Sequence, residues 1–141
     1  MGQETQELQK ALNESLDLSQ FLQLHKGQMV QPDIGAQIEA LRKERKLKKA
    51  ELARRAGMSE YYLYQILKGH RKPSRDTILC LCLSLSCSET ERKMLLEKSG
   101  YADLYVRVKR DAIFKYAFQE GWNCQQVNDA LYECGEPLVK M

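Results

Sequence analysis

The side chains best able to do chemistry lie in one run, SEYYLYQILKGHRKPSRD, residues 59–76. Its first half places a carboxylate (Glu60), three phenols (Tyr61, Tyr62, Tyr64) and an amide (Gln65) in one short helical stretch. These groups offer directional hydrogen-bond donors and acceptors. Its second half sets Lys68, His70, Arg71, Lys72 and Arg75 within eight residues, a density of positive charge suited to a polyanion. Catalysis is harder to assemble. His25 and His70 stand outside any nucleophile–base pattern, there is no glycine-rich phosphate loop, and Cys80-x-Cys82 lacks the C-x-x-C spacing of a metal knuckle. The expectation is a non-enzyme that uses no cofactor and no metal.

The charge map supports a binding role. The chain has 141 residues and a net charge of only +3, but the charge is unevenly spread. Residues 34–75 carry twelve Lys/Arg against four Asp/Glu, a balance of +8, whereas residues 1–33 carry −3 and residues 76–141 carry −2. Basic character confined to one segment is the electrostatic footprint of a face that meets nucleic acid.

The elements that must position these residues read as helices throughout. Leu8, Leu12, Leu16, Leu18, Phe21 and Leu22 recur at helical spacing within residues 1–30, and a break follows around Gly27 and Pro32. Asp33 can cap a helix with Ile34, Ile38 and Leu41 on its inner face. A short helix from Lys48 to Ala56 stops at Gly57, where a left-handed backbone is cheap. Ser59 caps the next, whose Leu63, Ile66 and Leu67 face inward. Ser74 caps DTILCLCLSL, apolar almost all round and therefore central to the core. SETE, residues 88–91, has the spacing of a capping box. Two more helices follow, one burying Ile113, Phe114, Ala117 and Phe118 and the other starting at Asn123. No segment alternates as a strand does.

A short helix, a glycine turn and a second capped helix, in ELARRAGMSEYYLYQILKG, form a helix-turn-helix pattern with small Ala53 and Gly57 at the close approach. Here the sequence resembles the Cro/cI-type (Xre) DNA-binding family. The matching residues are Leu52 and Ala53, Ala56 to Ser59, Leu63, Ile66, Gly69, Pro73, Ser74 and the apolar helix through Leu85. The wider run, including SETERKMLLEKSGYADLY and VNDALYECGEPL, is similar to short bacterial helix-turn-helix proteins with a helical C-terminal extension. The resemblance implies an all-α helical bundle: a lambda-repressor-like helix-turn-helix domain at residues 33–86, an N-terminal helical extension at 1–30 and a C-terminal one at 88–141.

The implied function is transcriptional regulation, with the helix at about residues 59–68 in the major groove of double-stranded DNA. By motif position, Glu60, Tyr61, Tyr62 and Gln65 would meet base edges. Lys49, Ser59, Lys68, His70, Arg71, Lys72 and Arg75 would meet phosphates. Gln65 suits adenine and Glu60 suits the cytosine amino group. The sequence departs from the family in having Lys49 where Gln is usual, Leu67 where Glu is frequent, and no Arg or Asn on the recognition helix. The alternative is a protein-interaction adaptor built on the same scaffold, with the tyrosines as its contact surface. Bases flanking those tyrosines on both sides favour DNA. The C-terminal extension either buttresses the core, pairs two copies as a homodimer or holds a protein partner. Arg107, Lys109 and Arg110 either extend the basic face or sit at a helix start.

Five cysteines, an odd number, and no apolar run of membrane-spanning length point to a cytoplasmic chain whose thiols are unpaired, small buried hydrophobes.

Overall fold

The computed structural model describes residues 3–25 and 33–141. The break expected around Gly27 and Pro32 lies outside them. Among the described residues there are nine helices and no strand, the all-α class expected. None of these helices is long and apolar enough to cross a membrane. The described residues fall into two compact units, one on either side of that break.

In the first unit the helical pattern divides into α1 (Gln3–Glu14) and α2 (Leu18–Leu24). The division has a local cause. Asp17 turns out of helical geometry and its carboxylate accepts the Ser19 N–H at 3.0 Å, capping α2. Leu16 therefore falls on the turn and is fully exposed, while Phe21 is buried.

The second unit runs through α3 (Ile34–Glu44), α4 (Lys49–Ala56), α5 (Glu60–Leu67), α6 (Arg75–Ser84), α7 (Glu89–Lys98), α8 (Lys109–Glu120) and α9 (Cys124–Glu133). The expected caps form: Asp33, Ser59, Ser74, Ser88 and Asn123 each accept a backbone N–H from the first turn of their helix. Helix α6 occupies the middle, as its all-round apolar character requires, and packs on α4, α7, α8 and α9. Phe114, Ala117, Val127 and Leu131 join the same core as Leu52, Leu63 and Ile66. Burial of each large side chain stabilises the fold by about 1.5–3 kcal/mol. Residues 88–141 thus build the same unit as residues 33–86 and share its core.

Two features of this packing lie beyond the sequence pattern. A Cβ on Gly35 would stand 2.4 Å from the carbonyl oxygen of Leu67 and 2.8 Å from that of Ile66. Only glycine lets α3 come this close to the C-terminal end of α5. The second is a correction to the reading of the cysteines. A disulfide joins Cys80 of α6 to Cys124 of α9, their Cα atoms 5.7 Å apart, while Cys82, Cys87 and Cys134 are free. The long-range contact that sets these two core cysteines side by side is invisible in their sequence spacing.

Candidate nucleic-acid interface

Helices α4 and α5 meet across Gly57, whose φ of 74° places it in the left-handed region. That turn sets the exposed face of α5 beside the start of α4. Lys49, the first residue of α4, lines an open groove of about 310 Å³ together with Glu60, Tyr61, Leu63 and Tyr64. Tyr61 is 69% exposed and Tyr64 46% exposed. Gln65 donates from Nε2 to Tyr61 Oη at 3.0 Å, one turn back along the helix. Four hydrogen-bonding side chains, Glu60, Tyr61, Tyr64 and Gln65, therefore share one outward surface with a lysine at its edge.

Tyr62 does not belong to that surface. It is half-buried against the core, its hydroxyl 3.5 Å from Thr77 Oγ1 and its ring beneath the Arg71 guanidinium at 4.9 Å. Helical geometry separates it from Tyr61 by about 100°. Ser59 is the N-cap of α5, its Oγ accepting the Tyr62 N–H at 3.0 Å.

After α5 the chain turns at Gly69, and residues 68–72 project basic side chains into solvent. Lys68 Nζ lies 5.9 Å from the Tyr64 ring, His70 meets that ring edge-on at 6.4 Å, and Lys72 Nζ lies 5.2 Å from the Tyr101 ring. The tyrosine faces orient the two lysines without neutralising them.

Arg75 has a different fate. Its guanidinium donates to both Asp111 oxygens at 2.8 and 3.0 Å, to Ala102 O at 3.1 Å and to Asp103 O at 3.2 Å. Next to it, Asp76 accepts two bonds from Arg110, at 2.8 and 2.7 Å. The Lys140 N–H adds a third, at 3.1 Å. Arg75 and Asp76 at the start of α6 thus exchange bidentate ion pairs with Arg110 and Asp111 at the start of α8. Burial pushes the Asp111 carboxyl up, but hydrogen bonds from Arg75 and the Tyr105 N–H, with the charges of Arg75 and Arg110, hold it below the usual aspartate range. Arg75, expected on a phosphate, is an internal tie between the two halves of the unit.

The other looser candidates sort in the same way. Lys109 donates to Cys134 O at 2.6 Å and Arg110 is committed to Asp76, whereas Lys43, Lys46 and Arg54 are exposed.

A family model described as "Helix-turn-helix domain" matches residues 33–95. The chain is also 32% identical over 84 residues to the ImmF control region 10 kDa protein of Bacillus phage phi105, an alignment covering 57% of this chain and 93% of that protein. The chain belongs to the helix-turn-helix family. The helix-turn-helix match extends past α6 into α7, so the shared domain reaches beyond the expected boundary at residue 86. No solved structure matches significantly.

The α6–α8 ion pairs, Gly35 and the Tyr101 contact to the basic loop are site-shaping features that the sequence pattern missed. A weak signal existed for the first: Arg-Asp at 75–76 and Arg-Asp at 110–111 are the same dipeptide, each at the start of a helix.

Proposed function

We propose that this helix-turn-helix protein is a DNA-binding regulator of transcription of the Cro/cI (Xre) type. Helix α5 lies in the major groove, with Glu60, Tyr61 and Gln65 toward base edges and Tyr64 at the groove wall. Lys49, Ser59, Lys68, His70, Arg71 and Lys72 lie on phosphates. One observation carries this reading: among the described residues the cations around the outward face of α5 are exposed and have no carboxylate partner, whereas Arg75 at the start of α6 and Arg110 at the start of α8 are paired. A surface that keeps cations unpaired around a strip of hydrogen-bonding side chains matches the division of labour on a duplex, where phosphate contacts position and base contacts specify. Membership of the helix-turn-helix family, and likeness to a phage control-region protein, support the same reading.

Selection of bound sequences from a random duplex library tests it. The expected result is a short recovered motif with an adenine or cytosine position sensitive to substitution of Gln65 or Glu60. A palindromic motif would add a homodimer on two half-sites about one helical turn apart. Equal affinity for every duplex at physiological salt would overturn specific regulation. The absence of duplex binding at low salt would overturn DNA binding and favour the adaptor, with Tyr61 and Tyr64 meeting a protein.

A further inference from the structure

Residues 101–108, between α7 and α8, are pinned to the far end of the basic loop. Tyr101 donates its hydroxyl to Pro73 O at 2.9 Å, and its ring lies beneath Lys72. Arg75 holds the next two carbonyls, those of Ala102 and Asp103. Leu104 is buried, and the Tyr105 N–H is fixed on Asp111 Oδ2 at 3.0 Å. A tight turn then closes through Val108 N–H to Tyr105 O at 2.9 Å.

That turn presents a side-chain set that turn formation does not explain. Tight turns favour Gly, Pro, Asn, Asp and Ser, yet this one reads Tyr-Val-Arg-Val. Tyr105, Val106 and Val108 are 52%, 62% and 49% exposed. Arg107 is exposed, and among the described residues no carboxylate or carbonyl takes its guanidinium. The nearby acids are already neutralised, Asp103 by Arg92, Asp111 by Arg75 and Asp76 by Arg110. The turn therefore presents one net positive charge between two apolar side chains.

We propose that residues 105–108 are a second contact to the duplex, entering the minor groove next to the major groove that α5 occupies. The proposal rests on the DNA reading above. In a duplex the two grooves are separated by one strand of phosphates. The chain order places α5 first, then the cations of residues 68–72, then Pro73 and Arg75, to which the turn is fastened. With the cations on a phosphate strand, a turn fastened to Pro73 and Arg75 would meet the groove on the other side of that strand. An arginine between apolar side chains is the chemistry of minor-groove readers, the cation drawn by the groove's negative potential and the apolar groups lying against sugars and base steps.

The test compares wild type, Arg107→Ala, Arg107→Lys and the double variant Val106→Ser/Val108→Ser. Each is titrated with NaCl on a random-sequence duplex of about 30 base pairs, and footprinted with hydroxyl radicals on a duplex recovered by selection. Arg107→Ala is expected to make the slope of log K against log[NaCl] shallower by about 0.9, the loss of one cation–phosphate equivalent. It should also lose protection in the flanking minor groove while keeping protection around the α5 site. Arg107→Lys should keep the slope, and the valine variant should keep the slope but bind the selected duplex several-fold more weakly. With Arg107 unpaired in the fold, melting temperatures should match wild type. Unchanged slope and footprint in Arg107→Ala, with Arg71→Ala/Lys72→Ala still weakened, would overturn this contact and leave the major-groove reading standing. Failure of wild type to bind any duplex would overturn both.

Discussion

Residues 68–72 and Arg75 are neighbours with the same basic character in sequence and opposite roles in the fold. Lys68, His70, Arg71 and Lys72 are exposed; the cations of Lys68, Arg71 and Lys72 lie over tyrosine rings that orient them and leave their charge available. Arg75, three residues on, is matched to Asp111 and two carbonyls. The difference teaches that a run of basic residues is not one electrostatic object. Charge offered to a polyanion must be charge that the fold has left unpaired, whereas Arg75 uses its charge in fixing residues 102, 103 and 111.

Breaking the paired half should have the largest effect. Asp111→Ala leaves the Arg75 guanidinium partly buried without its partner and frees the Tyr105 N–H. Stability should fall by about 3 kcal/mol, the typical cost of stranding one member of a buried pair. Urea unfolding checks it, and a loss below about 1 kcal/mol would mean that the pair is solvated and the tie is weak.

Breaking the free half should leave stability almost unchanged and act on binding. Arg71→Ala/Lys72→Ala removes two cations whose partners among the described residues are the rings of Tyr62 and Tyr101, so unfolding free energy should drop by no more than about 1 kcal/mol. Affinity for every duplex should fall, and the salt slope should become shallower by about 2. Salt titrations on selected and random duplexes provide the measurement; an effect confined to one sequence would make these residues base readers instead.

Gln65→Ala sharpens the comparison at the border between positioning and reading. It removes a half-exposed amide that bonds Tyr61 Oη, and should cost roughly 1–3 kcal/mol at one base pair with no change in salt slope. A uniform loss across all base pairs would show that Gln65 acts by holding Tyr61.

What was legible in the sequence was local. Ser59, Ser74, Ser88 and Asn123 announce helix starts because a short polar side chain reaches an N–H only two or three residues away. Gly57 announces the motif's turn because its own backbone requires it. All the misreadings but one involve a distant partner. Arg75 finds Asp111 across 36 residues, Cys80 finds Cys124 across 44, and Gly35 is needed only because the carbonyls of Ile66 and Leu67 pack against it. Tyr62 is the one local miss: it stands between outward-facing Tyr61 and buried Leu63, and the helical phase that turns it toward Thr77 depends on where the core lies.

Acid should separate the two regions by the smallest but most diagnostic effect. The carboxyls of Asp111 and Asp103 are held below the usual aspartate value of 3.8, burial pushing each up and arginine hydrogen bonds with backbone N–H groups outweighing it. A group whose pKa is lower in the folded state favours folding when ionised. Its contribution is complete above the unfolded value and is lost as pH falls through the folded one. Stability should therefore hold down to about pH 4 and decline below it as these carboxylates take up protons. Asp111→Asn, which has no such carboxylate to protonate, should show a shallower decline between about pH 4 and pH 2. Arg71→Ala/Lys72→Ala, which touches no carboxylate, should keep the wild-type decline. Denaturant titrations across that range measure all three, and parallel curves for wild type and Asp111→Asn would show that the Asp111–Arg75 tie contributes nothing to acid sensitivity.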